Sequence, residues 1–306
     1  MRNAFADQLC EIASQNSDLM LLTGDLGYNV FEEFEKRFPK QYINCGVAEQ
    51  NMVGLAAGLA SEQKKVFVYS IANFSTFRCL EQIRNDICYH KFPVTIVSVG
   101  AGFSYGTLGY THYAVEDISV MRSLPGMRIL SPADPNDVVA SMKLIMSSPS
   151  PTYLRIGKTG EANISQLPSK DIDKLNVVFN GENNLIITTG SISSEVKQAA
   201  EELNKDYKGL ICFATLTQLK PLKLELNFIK KFKKIITIEE HTLLGGLGSI
   251  INDFVLSNNL NARVLNIGLE DIIHDKIGST EYMRQLNNIS KSDLFDRIHH
   301  FIVNKT

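Results

Sequence analysis

At 306 residues, the chain is longer than most single hydrophobic cores, so two domains are expected. Apolar residues make up 44% and charged residues 21%, which is the composition of an ordinary globular protein. The net charge of −2 gives no electrostatic reason to expect nucleic acid or an acidic membrane as a partner. No apolar run approaches the ~18 residues needed to cross a bilayer. The amphipathic N-terminus "MRNAFADQLCEIASQ" lacks the continuous apolar core of an export signal.

The five cysteines are scattered along the chain, with no CxxC pair and no Cys/His cluster of zinc spacing. This pattern predicts buried thiols in a reducing cytoplasm. It also predicts no metal site made by this chain.

In the first half of the chain, short β-rich runs alternate with amphipathic helical patterns. The helical patterns lie near residues 29–37, 48–61, 75–89, 114–123 and 135–147, and the β-rich runs are "LMLLTGD", "KVFVYS", "FPVTIVSVG", "MRILSP" and "PTYLRIG". Alternation of this kind predicts βαβ units, in which parallel strands form a sheet with helices on both faces.

Residues 161–182 are polar, carry Pro168 and Gly181, and break this rhythm, so they are expected to be a linker. The alternation then resumes with the strand-like runs "NNLIITTG", "GLICFAT", "KKIITIEE" and "ARVLNIG", and with helices near residues 191–205, 223–231, 245–257 and 291–303. The predicted fold class is α/β with two domains, residues 1–160 and 183–306. Each is expected to be a mostly parallel sheet flanked by helices.

Two glycine-rich turns follow predicted strands. "TGDLGYN" lacks the lysine and the glycine spacing of a phosphate-binding loop. The carboxyl end of a strand is nevertheless where such sheets usually bind ligands, so Asp25 is a candidate binding residue as well as part of a turn. "EEHTLLGGLGS" fits close backbone packing as well as an anion site at a helix start.

The stretch "NCGVAEQNMVGLAAGLA", residues 44–60, places Glu49 in the first turn of a predicted helix. The helix dipole favours an acid there, so position alone does not separate a structural glutamate from a catalytic one. Gly54 and Gly58 lie inside the same helix, where each costs about 1 kcal/mol relative to alanine. Such a cost predicts that another backbone packs closely against this helix.

Several motifs, in this order, resemble the pyrimidine-binding domain of transketolases and of the related 1-deoxyxylulose-5-phosphate synthases. They are "NCGVAEQNMVGLAAGLA", "YSIANFSTFRCLEQIRND", "GTLGYTHYAVEDISVMRSLPGMRILSPADPND" and "TYLRIGKTG". "EEHTLLGGLGSIINDF" extends the resemblance into the C-terminal domain, so it covers nearly the whole chain. The opening residues also resemble the start of separately encoded C-terminal transketolase subunits. The resemblance implies a pyrimidine-binding thiamin fold followed by a transketolase C-terminal domain.

By this resemblance, Glu49 corresponds to the glutamate that binds N1′ of the aminopyrimidine of thiamine diphosphate. Sharing a proton with that nitrogen favours the tautomer whose exocyclic nitrogen removes the thiazolium C2 proton. Phe74 and Phe77 fall where the family packs aromatic rings against the pyrimidine. Arg78 belongs to the same cofactor-binding segment, with a surface or subunit-interface helix as the alternative. His112 corresponds to the histidine beside the substrate's first carbons, where an imidazole can donate to a developing alkoxide.

The resemblance also assigns a phosphate site. Arg155, in "YLRIGK", corresponds to the arginine that binds the sugar phosphate, and Lys158 lies close enough along the chain to assist. The alternative for this pair is solvated cations at a strand end. Glu116 and Asp117, by contrast, are expected to be acids at a helix start.

Two features depart from the family pattern. Where transketolases carry GDGPTH, this chain reads "TLGYTH", so Leu108 replaces an aspartate that contacts a sugar hydroxyl, and Gly100 replaces a histidine. The sugar substrate is therefore open, and a modified sugar of a surface polysaccharide is one hypothesis. The second feature is the absence of the GDG segment and later asparagine pair that hold the diphosphate and its divalent metal.

The sequence thus predicts the C-terminal subunit of a split transketolase that transfers a two-carbon ketol unit from a ketose phosphate to an aldose. The implied partner subunit carries the diphosphate domain and holds Mg²⁺ (or Ca²⁺). Two copies of this chain are expected to form a homodimer within an α₂β₂ assembly. The β subunit of a 2-oxoacid dehydrogenase, a 1-deoxyxylulose-5-phosphate synthase-like subunit and a non-catalytic regulatory subunit of the same fold are the alternatives.

Overall fold

The computed structural model describes residues 1–158, 160–164 and 171–304. The strands are β1 (Leu19–Thr23), β2 (Tyr42–Asn44), β3 (Lys65–Ile71), β4 (Val94–Val99), β5 (Arg128–Leu130), β6 (Thr152–Ile156), β7 (Leu175–Phe179), β8 (Asn184–Thr188), β9 (Ile211–Leu216), β10 (Gln218–Lys220), β11 (Lys234–Thr242) and β12 (Arg263–Leu269). The α-helices are α1 (Arg2–Gln15), α2 (Glu32–Arg37), α3 (Glu49–Ser61), α4 (Ala72–Thr76), α5 (Leu80–Gln82), α6 (Asp117–Arg122), α7 (Pro135–Ser147), α8 (Ser193–Asp206), α9 (Leu226–Ile229), α10 (Leu247–Ser257), α11 (Thr280–Leu286) and α12 (Lys291–Val303).

The first sheet has the strand order β10-β5-β6-β4-β3-β1-β2. Its strands are parallel except β10, which pairs antiparallel with β5. Successive side chains of β1 enter different cores: Leu21 packs with α1 and α7, whereas Leu22 packs with α3. This happens because neighbouring residues of a strand point to opposite faces. A strand buried on both faces therefore reads as an unbroken apolar run, as "LMLLT" does.

The second sheet has the order β12-β11-β8-β9-β7, with β7 antiparallel to β9. Helices α8 and α12 cover one face of this sheet. Helix α10 packs on the other face, within an apolar core that continues into the first domain. Two mostly parallel sheets flanked by helices confirm the predicted α/β class. None of the helices in the described parts of the chain is both long and apolar enough to span a bilayer.

The junction between the domains differs from the prediction in two ways. The stretch expected to be a linker, residues 161–182, contains strand β7, in which Leu175 and Val177 pack on the core shared by the domains and Phe179 packs on the opposite side of the sheet. Polar residues surround this short strand in the sequence, so its alternating apolar side chains did not indicate a strand. Strand β10, in turn, follows the second domain's β9 yet completes the first sheet. Pro168, the other mark of the expected linker, lies outside the described residues.

The single helix predicted near residues 75–89 is a succession of short turns. Helix α4 leads into a 3₁₀ turn at Phe77–Cys79, then α5 and a π-helical segment at Ile83–Cys88. The hydroxyls of Ser75 and Thr76 donate to the carbonyls of Ile71 and Ala72. Such side-chain bonds compete with a regular helix, and π segments are frequent beside functional sites.

Candidate active site

Glu49 is the first residue of α3, and its side chain is 2% exposed. Glu49 is the acid in the first turn of this helix, where the helix dipole favours a negative charge. Glu49 Oε2 accepts a hydrogen bond from Arg78 Nη1 at 2.7 Å. Among the described residues, Arg78 is the ion-pair partner of this buried carboxylate. Gly24, at the end of β1, lies against the Glu49 side chain, so the group sits at the carboxyl edge of the first sheet.

Arg78 connects Glu49 to an aromatic wall. Its side chain is 45% exposed, and its guanidinium carbon lies 4.6 Å from the centre of the Phe74 ring. The Phe74 ring in turn lies 5.2 Å, centre to centre, from the His112 ring at an interplanar angle of 65°. The structure thus brings together four of the predicted residues. Phe77 is partly exposed and has no ring contact among the described residues, so Phe74 is the aromatic ring that faces this group.

His112 ends a short 3₁₀ turn, Tyr110–His112. Its Nδ1 shares a hydrogen bond with the Thr111 hydroxyl at 2.9 Å, and Asn73 Nδ2 donates to the Thr111 carbonyl. With Nδ1 engaged, Nε2 is the ring nitrogen that remains to meet a ligand. Asn73 lies on α4 beside Phe74, so one short helix orients both the aromatic wall and the histidine turn.

The C-terminal domain holds the segment that carries His112. The Tyr113 hydroxyl donates to the carbonyls of Gly106 and Lys276, and the amide of Gly278 donates to the Gly106 carbonyl at 3.1 Å. A Cβ at position 106 would lie 2.5 Å from the Gly278 carbonyl oxygen. Gly106 is therefore needed for this close approach between the two domains.

Asp25 lies in a local polar network at the same sheet edge. Its carboxylate accepts from Tyr28 and from Asn44, and its amide donates to Asn44 Oδ1. Asn44 Oδ1 also accepts from the amide of Gly46, so it joins the two loops that precede α3. The motifs had not singled out Asn44. The signal that could have indicated Asn44 is an amide side chain at the end of a short strand, just before a glycine loop.

Arg155, the predicted phosphate ligand, does not fit that role in this structure. It is 2% exposed. Its Nε donates to Asp117 Oδ2 at 2.8 Å, and its Nη2 donates to the carbonyls of Ala114 and Glu240. A strand buried on both faces carries this arginine into the protein, where it links α6 to the second domain. Asp117 does begin α6, but it is buried and paired with Arg155.

Lys158 is exposed, and its Nζ lies 5.3 Å from the centre of the Tyr105 ring. It lines a polar cleft of about 650 Å³ between the two domains. The other side chains of this cleft are largely hydroxyls and carboxylates, including Ser104, Ser191 and Glu281. Lys158 therefore keeps a cation available to solvent, whereas Arg155 does not.

The glycine turn "EEHTLLGGLGS" is held by hydrogen bonds between its own residues. Glu239 accepts hydrogen bonds from the amides of Leu247 and Gly248 at 2.6 and 2.8 Å, and a Cβ at Gly246 would collide with the Glu239 carboxylate. The start of α10 is thus filled by the chain's own carboxyl group. Burial raises the pKa of Glu239 to about 7 and lowers that of the adjacent His241 to about 4.

The face of α3 that carries Gly54 and Gly58 does not provide the predicted close packing within this chain. A Cβ at either position would meet no atom within 4 Å. Within the described chain, therefore, no backbone packs against these glycines. Their helix-propensity cost has no compensation inside this subunit.

The described residues contain no group of three or more His, Cys, Asp or Glu side chains arranged to hold a metal ion. The candidate site consists of the buried Glu49 carboxylate, the Phe74 ring and His112, with Arg78 between the first two.

Comparison with known families identifies the two domains. Residues 1–160 match the family "Transketolase, pyrimidine binding domain" and residues 173–287 match "Transketolase, C-terminal domain". The chain belongs to the transketolase family.

Its relatives include separately encoded subunits. The chain is 34% identical to one subunit of the apulose-4-phosphate transketolase of Phocaeicola vulgatus, with 89% of each chain covered. It is also 34% identical to a putative transketolase C-terminal section of Methanocaldococcus jannaschii, with 89% of this chain and 87% of the relative covered. A solved structure described as a split-gene transketolase, inactive beta4 tetramer, superposes with a TM-score of 0.84 at 28% identity and covers 98% of this chain and 96% of its own.

Proposed function

We propose that this chain is the C-terminal subunit of a two-polypeptide transketolase that uses thiamine diphosphate to transfer a two-carbon ketol unit from a ketose phosphate to an aldose. The observation that carries the proposal is the buried Glu49 carboxylate, paired with the half-exposed Arg78, whose guanidinium lies over the Phe74 ring. Family membership and the two relatives that are separate subunits support it.

The residues of this site fit the pyrimidine half of the cofactor. Among the described residues Glu49 is one of few buried carboxylates, and Phe74 presents its ring face to a flat cationic group, the Arg78 guanidinium. A planar heteroaromatic ring that shares a proton with a carboxylate needs the same two contacts. Glu49 would hold the proton at N1′, and Phe74 would support the ring.

When bound, thiamine diphosphate supplies a nucleophilic carbon and an electron sink. The residues of this chain provide the setting for that chemistry. Burial of Glu49 excludes water from the shared proton, which strengthens the hydrogen bond in a medium of low dielectric constant. His112, oriented through Thr111 and Asn73, would present Nε2 to the substrate oxygen.

The described residues do not fit the diphosphate half. They offer neither a metal cluster nor the GDG segment that binds the diphosphate. We therefore assign the diphosphate and its Mg²⁺ (or Ca²⁺) to a partner subunit. The relative described as an inactive beta4 tetramer supports a chain that self-associates without being active. The glycine face of α3, with Leu55 partly exposed beside it, supports a second copy packing there within an α₂β₂ assembly.

The sugar site differs from the family pattern at two positions. Leu108 is 50% exposed, so it offers an apolar contact where the family has an aspartate. Gly100 has a φ of +100°, and a Cβ there would collide with the Tyr105 ring, so the loop has no room for the family histidine. We propose a sugar phosphate with fewer hydroxyl contacts at this end, with the exposed Lys158 as a cation for its phosphate. The P. vulgatus relative is named for apulose 4-phosphate.

Coexpression with the subunit that carries the diphosphate domain tests the proposal. We expect the two chains to co-purify and to transfer a ketol unit between sugar phosphates. Glu49→Gln should abolish transfer, whereas Glu62→Gln, an exposed acid at the end of the same helix, should leave it intact. Full activity of the Glu49 variant would refute the proposed role. Release of CO₂ from a 2-oxoacid would point to the dehydrogenase alternative instead.

A further inference from the structure

Arg78 makes, in the chain alone, the contacts that the proposed function assigns to the aminopyrimidine. One edge of its guanidinium donates to Glu49 Oε2 at 2.7 Å. The same group lies over the Phe74 ring, with 4.6 Å between the guanidinium carbon and the ring centre. A guanidinium and an aminopyrimidine are both planar and both present N–H groups at an edge and a π face.

We infer that Arg78 occupies the pyrimidine subsite as a resident stand-in for the cofactor, and that the cofactor ring binds by displacing it. This inference rests on the proposed function, because it takes Glu49 and Phe74 as the pyrimidine ligands. It assigns Arg78 a role opposite to that of an added cofactor ligand: the residue competes with the ring.

The charge balance at Glu49 gives the physical reason for a stand-in. Glu49 is 2% exposed, and a buried carboxylate that has lost its partner is strongly destabilising. Arg78 compensates this charge while the subsite holds no ligand. Once a ring shares its proton with Glu49, the guanidinium is no longer needed there.

The position of Arg78 allows it to leave. Its side chain is 45% exposed, so rotation toward solvent does not bury the charge elsewhere. The residue lies in a 3₁₀ turn between two short helices, and a π-helical segment follows. Departure therefore requires a change in one exposed side chain and leaves the cores untouched. Phe74 stays in place because its ring also packs against His112.

The ion pair between Arg78 and Glu49 should weaken the measured affinity of the ring for the subsite. A ring that enters the subsite must break an ion pair in which one partner is buried and the other half-exposed. Exposed pairs alter equilibria by a few-fold, and hydrogen bonds to a charged group by about ten-fold or more. Removal of the guanidinium should therefore tighten ring binding by about 5- to 10-fold.

Binding of the pyrimidine half to the full-length chain tests this inference without any need for catalysis. The probe is 4-amino-2,5-dimethylpyrimidine, titrated against the chain and followed by NMR. We expect Arg78→Met to tighten binding by about 5- to 10-fold. Arg84→Met is the matched control: Arg84 lies in the adjoining π-helical segment and is exposed, with Nη1 bonded to its neighbour Asn85. It should leave the affinity unchanged.

Unchanged or weaker binding by Arg78→Met would overturn the inference. Glu49→Gln separates this failure from failure of the proposed function. If Glu49→Gln does not weaken probe binding, the pyrimidine assignment itself is wrong and the inference falls with it. If Glu49→Gln weakens binding but Arg78→Met does not tighten it, the inference alone is wrong.

A measurement on the unmodified chain covers the case in which Arg78→Met fails to fold. The side-chain Nε signal of Arg78, assigned by its loss in Arg78→Lys, should move on probe binding to the position of a solvent-exposed arginine. A signal that keeps its ion-paired position at probe saturation would overturn the inference. A purely structural arginine would show no such displacement.

Discussion

Replacement of Arg155 by methionine should destabilise the chain strongly. Its main effect should be on the free energy of unfolding and not on the KM for a sugar phosphate. Arg155 and Asp117 are 2% and 0% exposed. Loss of the guanidinium leaves the Asp117 carboxylate buried without its counter-charge, and the carbonyls of Ala114 and Glu240 lose a donor. Breaking a buried ion pair from one side costs about 3–5 kcal/mol. At about 2–4 °C per kcal/mol, the value for chains somewhat shorter than this one, the midpoint of thermal unfolding should fall by roughly 6–20 °C.

Urea denaturation, combined with a matched variant, checks this prediction. Lys158→Met removes a cation three residues away that is exposed to solvent, so it should change the free energy of unfolding by less than about 1 kcal/mol. The pair of Arg155→Met and Asp117→Asn should cost less together than the sum of the single variants, because the second change removes the orphaned charge. An Arg155→Met chain as stable as the wild type, with a raised KM for a sugar phosphate, would refute the reasoning and restore the phosphate role.

Two further predictions concern Asp137 and the glycine face of α3. Burial and the neighbouring Asp134 carboxylate raise the pKa of Asp137 from 3.8 to about 6. Because the folded value is the higher one, this group's contribution to stability is present below about pH 4 and is lost as the pH rises through 6. Urea denaturation between pH 4 and 7 should therefore show Asp137→Asn gaining up to about 3 kcal/mol relative to the wild type over that window, and a constant difference would contradict the assignment. Gly54→Ala and Gly58→Ala should each stabilise the isolated chain by up to about 1 kcal/mol, since a Cβ meets nothing there, yet should weaken assembly measured by analytical ultracentrifugation. Unaltered assembly would show that no other chain packs closely on this face.

Much of the fold was predictable because the strands are buried on both faces. Runs such as "LMLLT" and "VTIVSV" contain little besides apolar residues, and their spacing predicts parallel βαβ units. Strand β10 was not predictable, because it has three residues and pairs with a strand far away in the chain. Strand β7 is short and antiparallel at a sheet edge. Neither leaves a periodic pattern long enough to recognise.

The candidate site was predictable only in part. Glu49 and His112 lie in the motifs that carry the family resemblance, and the structure brings both into one group with Phe74 and Arg78. The ion pair between Arg155 and Asp117 was not predicted, because the two residues are distant in sequence. The signal that could have indicated a buried ion pair is a cation inside the strand-like run "TYLRI", whose residues are all buried in the structure. The cytoplasmic location, predicted from the scattered thiols, stays a prediction.

Strand β10 has a consequence for how such an enzyme can be divided into pieces. The first sheet ends in a strand that the chain supplies only after it has built β7, β8 and β9 of the second. A peptide-bond break anywhere between the two domains would leave the first sheet without its last strand and would expose an unprotected edge, which invites aggregation. We therefore expect the pyrimidine-binding domain to lose solubility when it is expressed without the C-terminal domain.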